Sequence, residues 1–130
     1  METPHVLRYA RTHEWAKREG DLVRVGISDF AQAQLGDIVF LELPEPGRVV
    51  ARGDTLGVVE SVKAVADLWA PVSGEVVEVN GDLADTPELV NEDPYGKGWM
   101  VAIRLSDSDE LAALLDAAAY RLHCEEDETE

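Results

Sequence analysis

A mainly β fold made of two quasi-symmetric β halves, with a short helix in the N-terminal half and an amphipathic helix at the C-terminus, is what the sequence predicts. Short apolar and β-branched runs recur between glycine, proline and aspartate punctuation: LVRVGI at 22–27, IVFLEL at 38–43, LGVVESV at 56–62, GEVVEV at 74–79 and WMVAIRL at 99–105. Alternation of period two in 75-EVVEV-79 and 99-WMVAIRL-105 places Trp99, Val101, Ile103 and Leu105 on one face, as core. The stretch 47-GRVVARGDTL-56 is echoed by 74-GEVVEVNGDL-83, each with a glycine, two valines and a Gly-Asp turn before a leucine. Two copies are too few for a solenoid, so the echo implies two β units facing each other across one core.

Two segments break the β rhythm. In 28-SDFAQAQLG-36, Ser28 can cap a helix, Asp29 suits its positive end and Gly36 can stop it. Phe30, Ala31, Gln34 and Leu35 then share helical spacing, which fits a core face or the wall of a groove. In 106-SDSDELAALLDAAAYRL-122, Leu111, Leu114, Leu115, Ala118 and Leu122 repeat at helical spacing and Ser106 and Asp109 stand as a capping box. The stretch 80–98 holds two prolines and three glycines with little periodicity, so it reads as irregular, with at most one turn begun by Thr86 and Pro87. Residues 1–122 form a single domain and the acidic run at 123–130 a frayed tail, with Cys124 weakly packed or exposed.

The chain has 130 residues, 27 acids and 11 bases, a formal net charge of −16 that repels phosphate backbones and anionic headgroups. Nucleic acid and membrane surfaces are therefore excluded as partners, and basic patches on other proteins are favoured. With one cysteine no internal disulfide can form, and a reducing compartment fits. METPHVLRYAR has neither a long apolar run nor a basic amphipathic pattern, so a cytoplasmic protein is expected, or a mitochondrial-matrix one if a transit peptide was removed. His5, His13 and His123 are scattered, and 13-HEW-15 lacks the second histidine of a zinc helix, so no metal is assigned. No nucleophile, base and orienting group form a catalytic set.

Between the echoed stretches, at 57–73, two apolar runs meet near 62–64 and set Lys63 at a hairpin tip in solvent. A lysine there is ordinarily a solubilising charge, but a long side chain on a rigid hairpin also suits covalent amide attachment, and small neighbours, Val62 and Ala64, leave room for a modifying enzyme.

The segment GDTLGVVESVKAVADLWAPVSGEVVEVN resembles the attachment region of lipoyl carrier domains, with Lys63 at the modified position and Glu60, Ser61, Val62 and Ala64 around it. Biotin carriers resemble the same hairpin but place methionines beside the lysine. THEW, VGISDFAQ, LGDIVFLELP, VVESVKA and NEDPYGKGW agree in order and spacing with the H proteins of the glycine cleavage system, a resemblance running from about Arg8 to Tyr120. It implies a flattened barrel-sandwich hybrid of the lipoyl/biotinyl-carrier kind and a monomeric, non-catalytic carrier with lipoate on Lys63. The partners it implies are a pyridoxal-phosphate glycine decarboxylase (P protein), a tetrahydrofolate-dependent aminomethyltransferase (T protein), dihydrolipoamide dehydrogenase (L protein) and a lipoate-attaching enzyme. The carried group is the aminomethyl of glycine.

The resemblance also points to Thr12, Glu14 and Asp67 as lining a cleft for the loaded arm, with Ala31, Gln34 and Leu35 of the first helix as its wall. Some relatives carry histidine where this chain has Gln34. A carboxylate in such a cleft would attract the cationic amine of the cargo, more strongly where water is partly excluded. Two other readings stand beside this one: a non-lipoylated interaction module on the same barrel, and a relay passing lipoate to other complexes.

Overall fold

A computed structural model describes residues 2–128. The strands and helices follow in order as β1 (Arg8–Tyr9), β2 (Glu14–Glu19), β3 (Leu22–Ile27), α1 (Asp29–Leu35), β4 (Ile38–Glu42), β5 (Val49–Val50), β6 (Thr55–Ser61) and β7 (Val65–Trp69). Then come β8 (Gly74–Val79), α2 (Asp82–Asp85), α3 (Leu89–Glu92), β9 (Val101–Leu105), α4 (Ser108–Ala112) and α5 (Ala117–Glu128). They form two antiparallel sheets, one of six strands ordered β1-β2-β3-β9-β8-β5 and one of three ordered β4-β6-β7. The molecule is thus mainly β, a barrel-sandwich in which both sheets supply the core.

That core joins Val23, Val25 and Ile27 of β3, Val76 of β8 and Val101 and Ile103 of β9 to Leu56 and Val59 of β6 and Leu68 of β7, all buried. Removing such side chains from water is the main stabilising contribution, about 1.5–3 kcal/mol for each fully buried Val, Leu or Ile. A second cluster lies on the outer face of the larger sheet, where Tyr9, Trp15 and Phe30 pack with Ala117, Tyr120 and Cys124 of α5. Tyr9 and Tyr120 stack with centroids 4.4 Å apart. Strand β9 has buried residues on both faces, Ala102 as well as Val101 and Ile103, whereas Trp99, before the strand, is only partly buried and packs on the outer cluster, and Leu105 is half-buried at the core's edge.

The Ser28–Gly36 reading holds to the residue. Ser28 Oγ accepts from Ala31 N at 3.1 Å, and Gly36 ends α1 at φ 79°. The echoed stretches, in contrast, do not face each other across the core. Strands β5 and β8 are direct neighbours, with Val49 opposite Glu75 and Val50 opposite Gly74. The likeness ends at the turns: Gly53-Asp54 leads into β6, whereas Gly81-Asp82 opens α2.

The C-terminal segment also departs from its expected form. A single helix over 106–122 is replaced by α4 and α5, and Asp107, not Ser106, caps α4 by accepting from Asp109 N at 3.0 Å. The break has a long-range cause: Leu115 exchanges two backbone hydrogen bonds of 2.8 Å with Tyr9, which holds the chain extended there. Asp116 then starts the next helix by accepting from Ala119 N at 2.9 Å. The buried stripe becomes Ala117, Tyr120 and Cys124, while Leu122 is exposed and Ala118 with it. Helix α5 continues through Glu128, so 123–128 is helical rather than frayed and Cys124 is buried rather than loose; 129–130 of the expected tail lies outside the described residues. The stretch 80–98 carries two short helices rather than one turn, closed by Asn80, whose amide donates to Lys97 O and Trp99 O at 2.9 and 2.8 Å.

Candidate functional site

Strands β6 and β7 form a hairpin in which Glu60 stands opposite Val65 and Ser61, Val62, Lys63 and Ala64 make the tip. Ser61 N donates to Ala64 O at 2.8 Å, and Ser61 Oγ accepts from Ala64 N and Lys63 N at 3.0 and 3.3 Å. The serine hydroxyl thereby does locally what a backbone carbonyl would do in a longer turn. Val62 N donates to Asp37 O at 3.0 Å, which ties the tip to the α1–β4 connection. Glu60, Val62, Lys63 and Ala64 are exposed, and no hydrogen bond or ion pair engages the Lys63 ammonium among the described residues. Its side chain leans toward the end of α1, where a Cβ placed on Gly36 would lie 3.6 Å from Lys63 Cε.

The α1–β4 connection is itself held from below by Asn91 of α3. Its amide donates to Gly36 O at 2.9 Å and Gln32 Oε1 at 3.0 Å, and its Oδ1 accepts from Ile38 N at 2.9 Å. Sequence reading passed over Asn91; a single asparagine between two turn-forming stretches is indistinguishable from an ordinary loop residue. Asn91→Ala leaves Gly36 O and Ile38 N without these partners and is expected to cost about 1–3 kcal/mol, measured by urea unfolding. Faster hydrogen exchange at the Val62 amide should accompany it, because Asp37 lies between the two released groups.

Beside the hairpin lies a cleft of about 250 Å3 lined by Thr12, His13, Glu14, Ile27, Ala31, Gln34, Leu35, Val59, Ala66 and Asp67. All six residues named from the sequence, Thr12, Glu14, Ala31, Gln34, Leu35 and Asp67, meet there. Phe30 does not, since it belongs to the buried outer cluster. Of the four that sequence reading missed, His13 lies in the turn between Thr12 and Glu14, and the other three follow from register. Val59 and Ala66 are a cross-strand pair of the hairpin, and Ile27 stands opposite Glu14 across β2 and β3.

The cleft is apolar along most of its length and carboxylate-bearing at Glu14 and Asp67. Glu14 is only 1% exposed. Thr12 Oγ1 donates to its Oε1, and Trp69 N donates to Oε2 at 3.2 Å, so Glu14 also satisfies a backbone group of β7. Desolvation by burial outweighs those donors and raises its pKa from 4.5 to about 7. Asp67, by contrast, is exposed, and no hydrogen bond or ion pair engages its carboxylate among the described residues. A cation entering the cleft therefore meets one accessible carboxylate and one buried carboxyl poised to ionise.

His13 occupies the left-handed region at φ 78°, at the end of the turn between β1 and β2. Its Nδ1 lies 2.7 Å from Tyr120 Oη and its Nε2 2.8 Å from Asp127 Oδ2. Burial lowers its pKa below the ordinary imidazole value, against the opposing pull of Asp127. The histidines are thus not all scattered: His13, His123 and Asp127 converge where α5 meets the turn. His13 lies more than a hundred positions from the other two, which hid this from sequence spacing. Near the hairpin tip, Val39, Phe40, Val62 and Val65 are exposed apolar side chains, Phe40 and Val65 standing on either side of Glu60 in the sheet.

A family model described as glycine cleavage H-protein matches residues 7–127. A protein of Anaeromyxobacter sp. (strain K) named glycine cleavage system H protein is 58% identical over 128 residues, spanning 98% of this chain and 100% of that one. One of the same name from Bacillus licheniformis is 54% identical over 127 residues, with 98% and 100% covered. The crystal structure of a glycine cleavage system H protein from Mycobacterium marinum is similar at a TM-score of 0.83 and 42% identity, covering 90% of this chain and 94% of that one.

Proposed function

The chain belongs to the glycine cleavage H-protein family, and from that membership we propose that it is a lipoyl carrier, modified at Lys63, that shuttles the aminomethyl group of glycine. The observation that carries this reading is the junction of an unpartnered, exposed Lys63 at an anchored hairpin tip with a cleft whose wall, α1, ends beside it. Bound lipoate supplies a dithiolane whose sulfurs accept and release the carried group. The residues fit such a group: Ile27, Ala31, Leu35, Val59 and Ala66 offer apolar cover for an acyl chain, and Glu14 and Asp67 offer charge at its end. Thr12 holds Glu14 in place, and Gln34 adds a polar rim.

The carrier would be loaded by the glycine decarboxylase, unloaded by the aminomethyltransferase and reoxidised by dihydrolipoamide dehydrogenase. The chain itself contributes position and shelter rather than bond-making groups. Val39, Phe40, Val62 and Val65 give these enzymes and the lipoate-attaching enzyme an apolar surface to grip at Lys63, while Glu60 presents charge on the same strand end. No helix among the described residues is long and apolar enough to cross a membrane.

Intact mass after co-expression with a lipoate ligase tests the reading. One lipoyl increment per chain is expected, and its absence would reduce the protein to an unmodified interaction module. A finer test addresses the cleft. Glu14→Ala and Asp67→Ala, made in lipoylated protein, should each shorten the lifetime of the aminomethylated form several-fold by removing a partner of the cation. Unchanged release of ammonia and formaldehyde would take both residues out of the site.

A further inference from the structure

His13, which also lines the cleft, meets two side chains of α5 that the carrier reading leaves unused. His123 and Asp127 lie one helical turn apart on α5 and therefore share a face. His13 reaches them from the turn that closes β1 and β2. Its Nε2 is 2.8 Å from Asp127 Oδ2, His123 Nε2 is 3.6 Å from the same oxygen, and all three atoms lie within 4.8 Å of one another. The two imidazoles stack with centroids 5.4 Å apart.

The backbone is committed to this arrangement. Ala10 N donates to Glu14 O and His13 N to Ala10 O, at 2.9 and 3.0 Å, making a tight turn whose last residue must adopt positive φ. Glycine or asparagine suits that position, yet a histidine fills it, and the strain directs an imidazole at α5. Behind the ring, His13 Nδ1 meets Tyr120 Oη at 2.7 Å, and Tyr120 Oη lies 2.6 Å from Ser28 Oγ. An imidazole whose second nitrogen is fixed by an outer hydrogen bond is the arrangement typical of a metal ligand.

We propose that His13 Nε2, His123 Nε2 and an Asp127 carboxylate oxygen form a binding site for a borderline divalent transition-metal ion, zinc first among them, with a fourth position open to water. Four-coordinate zinc with ligands at about 2.0–2.1 Å needs ligand atoms roughly 3.3 Å from each other. The two distances to Asp127 Oδ2, 2.8 and 3.6 Å, straddle that spacing, and the two histidine nitrogens lie within 4.8 Å of each other, so side-chain rotation is needed to close the site. Two imidazoles with one carboxylate select zinc, cobalt or nickel over magnesium or calcium. Each histidine would then present its Nε2 lone pair and carry its proton on Nδ1. For His123 the ion replaces the 2.8 Å hydrogen bond that Nε2 makes to Arg11 O, and for His13 the proton moves from the nitrogen facing Asp127 to the one facing Tyr120 Oη. The ion would pin α5 to the turn bearing Thr12 and Glu14. This site is independent of whether Lys63 is modified.

Zinc chloride titrated by calorimetry into the full chain, first stripped with chelator, should show one ion per chain. Binding should weaken roughly tenfold or more in His123→Ala and in Asp127→Asn, the second of which can keep the hydrogen bond from His13. His5→Ala should bind as the unaltered chain does. Cobalt in place of zinc should give the intense visible absorption of a low-coordinate ion, lost in the same variants, and circular dichroism without metal should be alike for all. Binding that survives both variants, or that calcium displaces, would assign the ion to the acidic run at 124–130 and overturn the site. An absence of binding would reduce the cluster to a hydrogen-bonded triad.

Discussion

Lys63→Arg is expected to give a folded protein that gains no lipoyl mass and supports no glycine-dependent carbon dioxide exchange in a reconstituted system. Arginine keeps the charge and most of the length, but its guanidinium does not deprotonate at accessible pH and cannot attack an activated acyl group. Stability should change by less than about 0.5 kcal/mol, since the ammonium is exposed and the tip is held by Ser61 and by the Val62–Asp37 bond rather than by Lys63. The comparison is clean because the chain offers only two other lysines, Lys17 and Lys97, neither of them in the β6–β7 hairpin. A lipoyl increment retained in Lys63→Arg would sink the assignment.

Glu14→Gln should abolish a pH dependence of stability that the unaltered chain shows. Burial holds this carboxyl at about 7 against an ordinary value of 4.5. Between those values the native state binds more protons than the unfolded one, so stability is full below about pH 4.5 and is lost as pH rises through 7. The difference in unfolding free energy between the unaltered chain and Glu14→Gln should shift by about 3 kcal/mol over that window, against the unaltered chain at the alkaline end. Urea unfolding of both proteins at a series of pH values measures it. A flat difference would mean that Glu14 is better solvated than its position implies. A cation seated beside Glu14 would offset the same penalty, so if the proposed carrier holds its cargo there, the loaded form should show a smaller pH dependence than the empty one.

Most of the β framework was legible because its signals are local. The run LVRVGI is β3 from Leu22 to Ile27 and GEVVEV is β8 from Gly74 to Val79, each bounded by its own turn residues. The α1 caps were equally readable, since Ser28 and Gly36 act within one turn of themselves. What failed depends on distant partners. Nothing in 106–122 shows that Leu115 will be drawn into a bridge with Tyr9, and that bridge splits the helix. The echo was misleading for a related reason: Val and Gly-Asp report a strand and a turn, but not which neighbour the strand will choose. At the site, the family resemblance supplied the cleft residues, and the register of β6 with β7 and of β2 with β3 supplied the rest. The meeting of His13 with α5 required the fold itself.

In the proposed carrier, the bond from Val62 N to Asp37 O bears on how the arm would be emptied. A pivot fixed to the body of the molecule would make entry of a lipoyl arm into the cleft an intramolecular event. Its effective concentration is on the order of millimolar for a short flexible tether, whatever the concentration of protein. Dilution would therefore not release the proposed cargo; only a surface that competes at that local concentration would draw the arm out. Loosening the pivot would enlarge the volume the arm explores and lower that concentration, so the rigidity of a two-stranded turn sets how strongly each enzyme must bind before it is served.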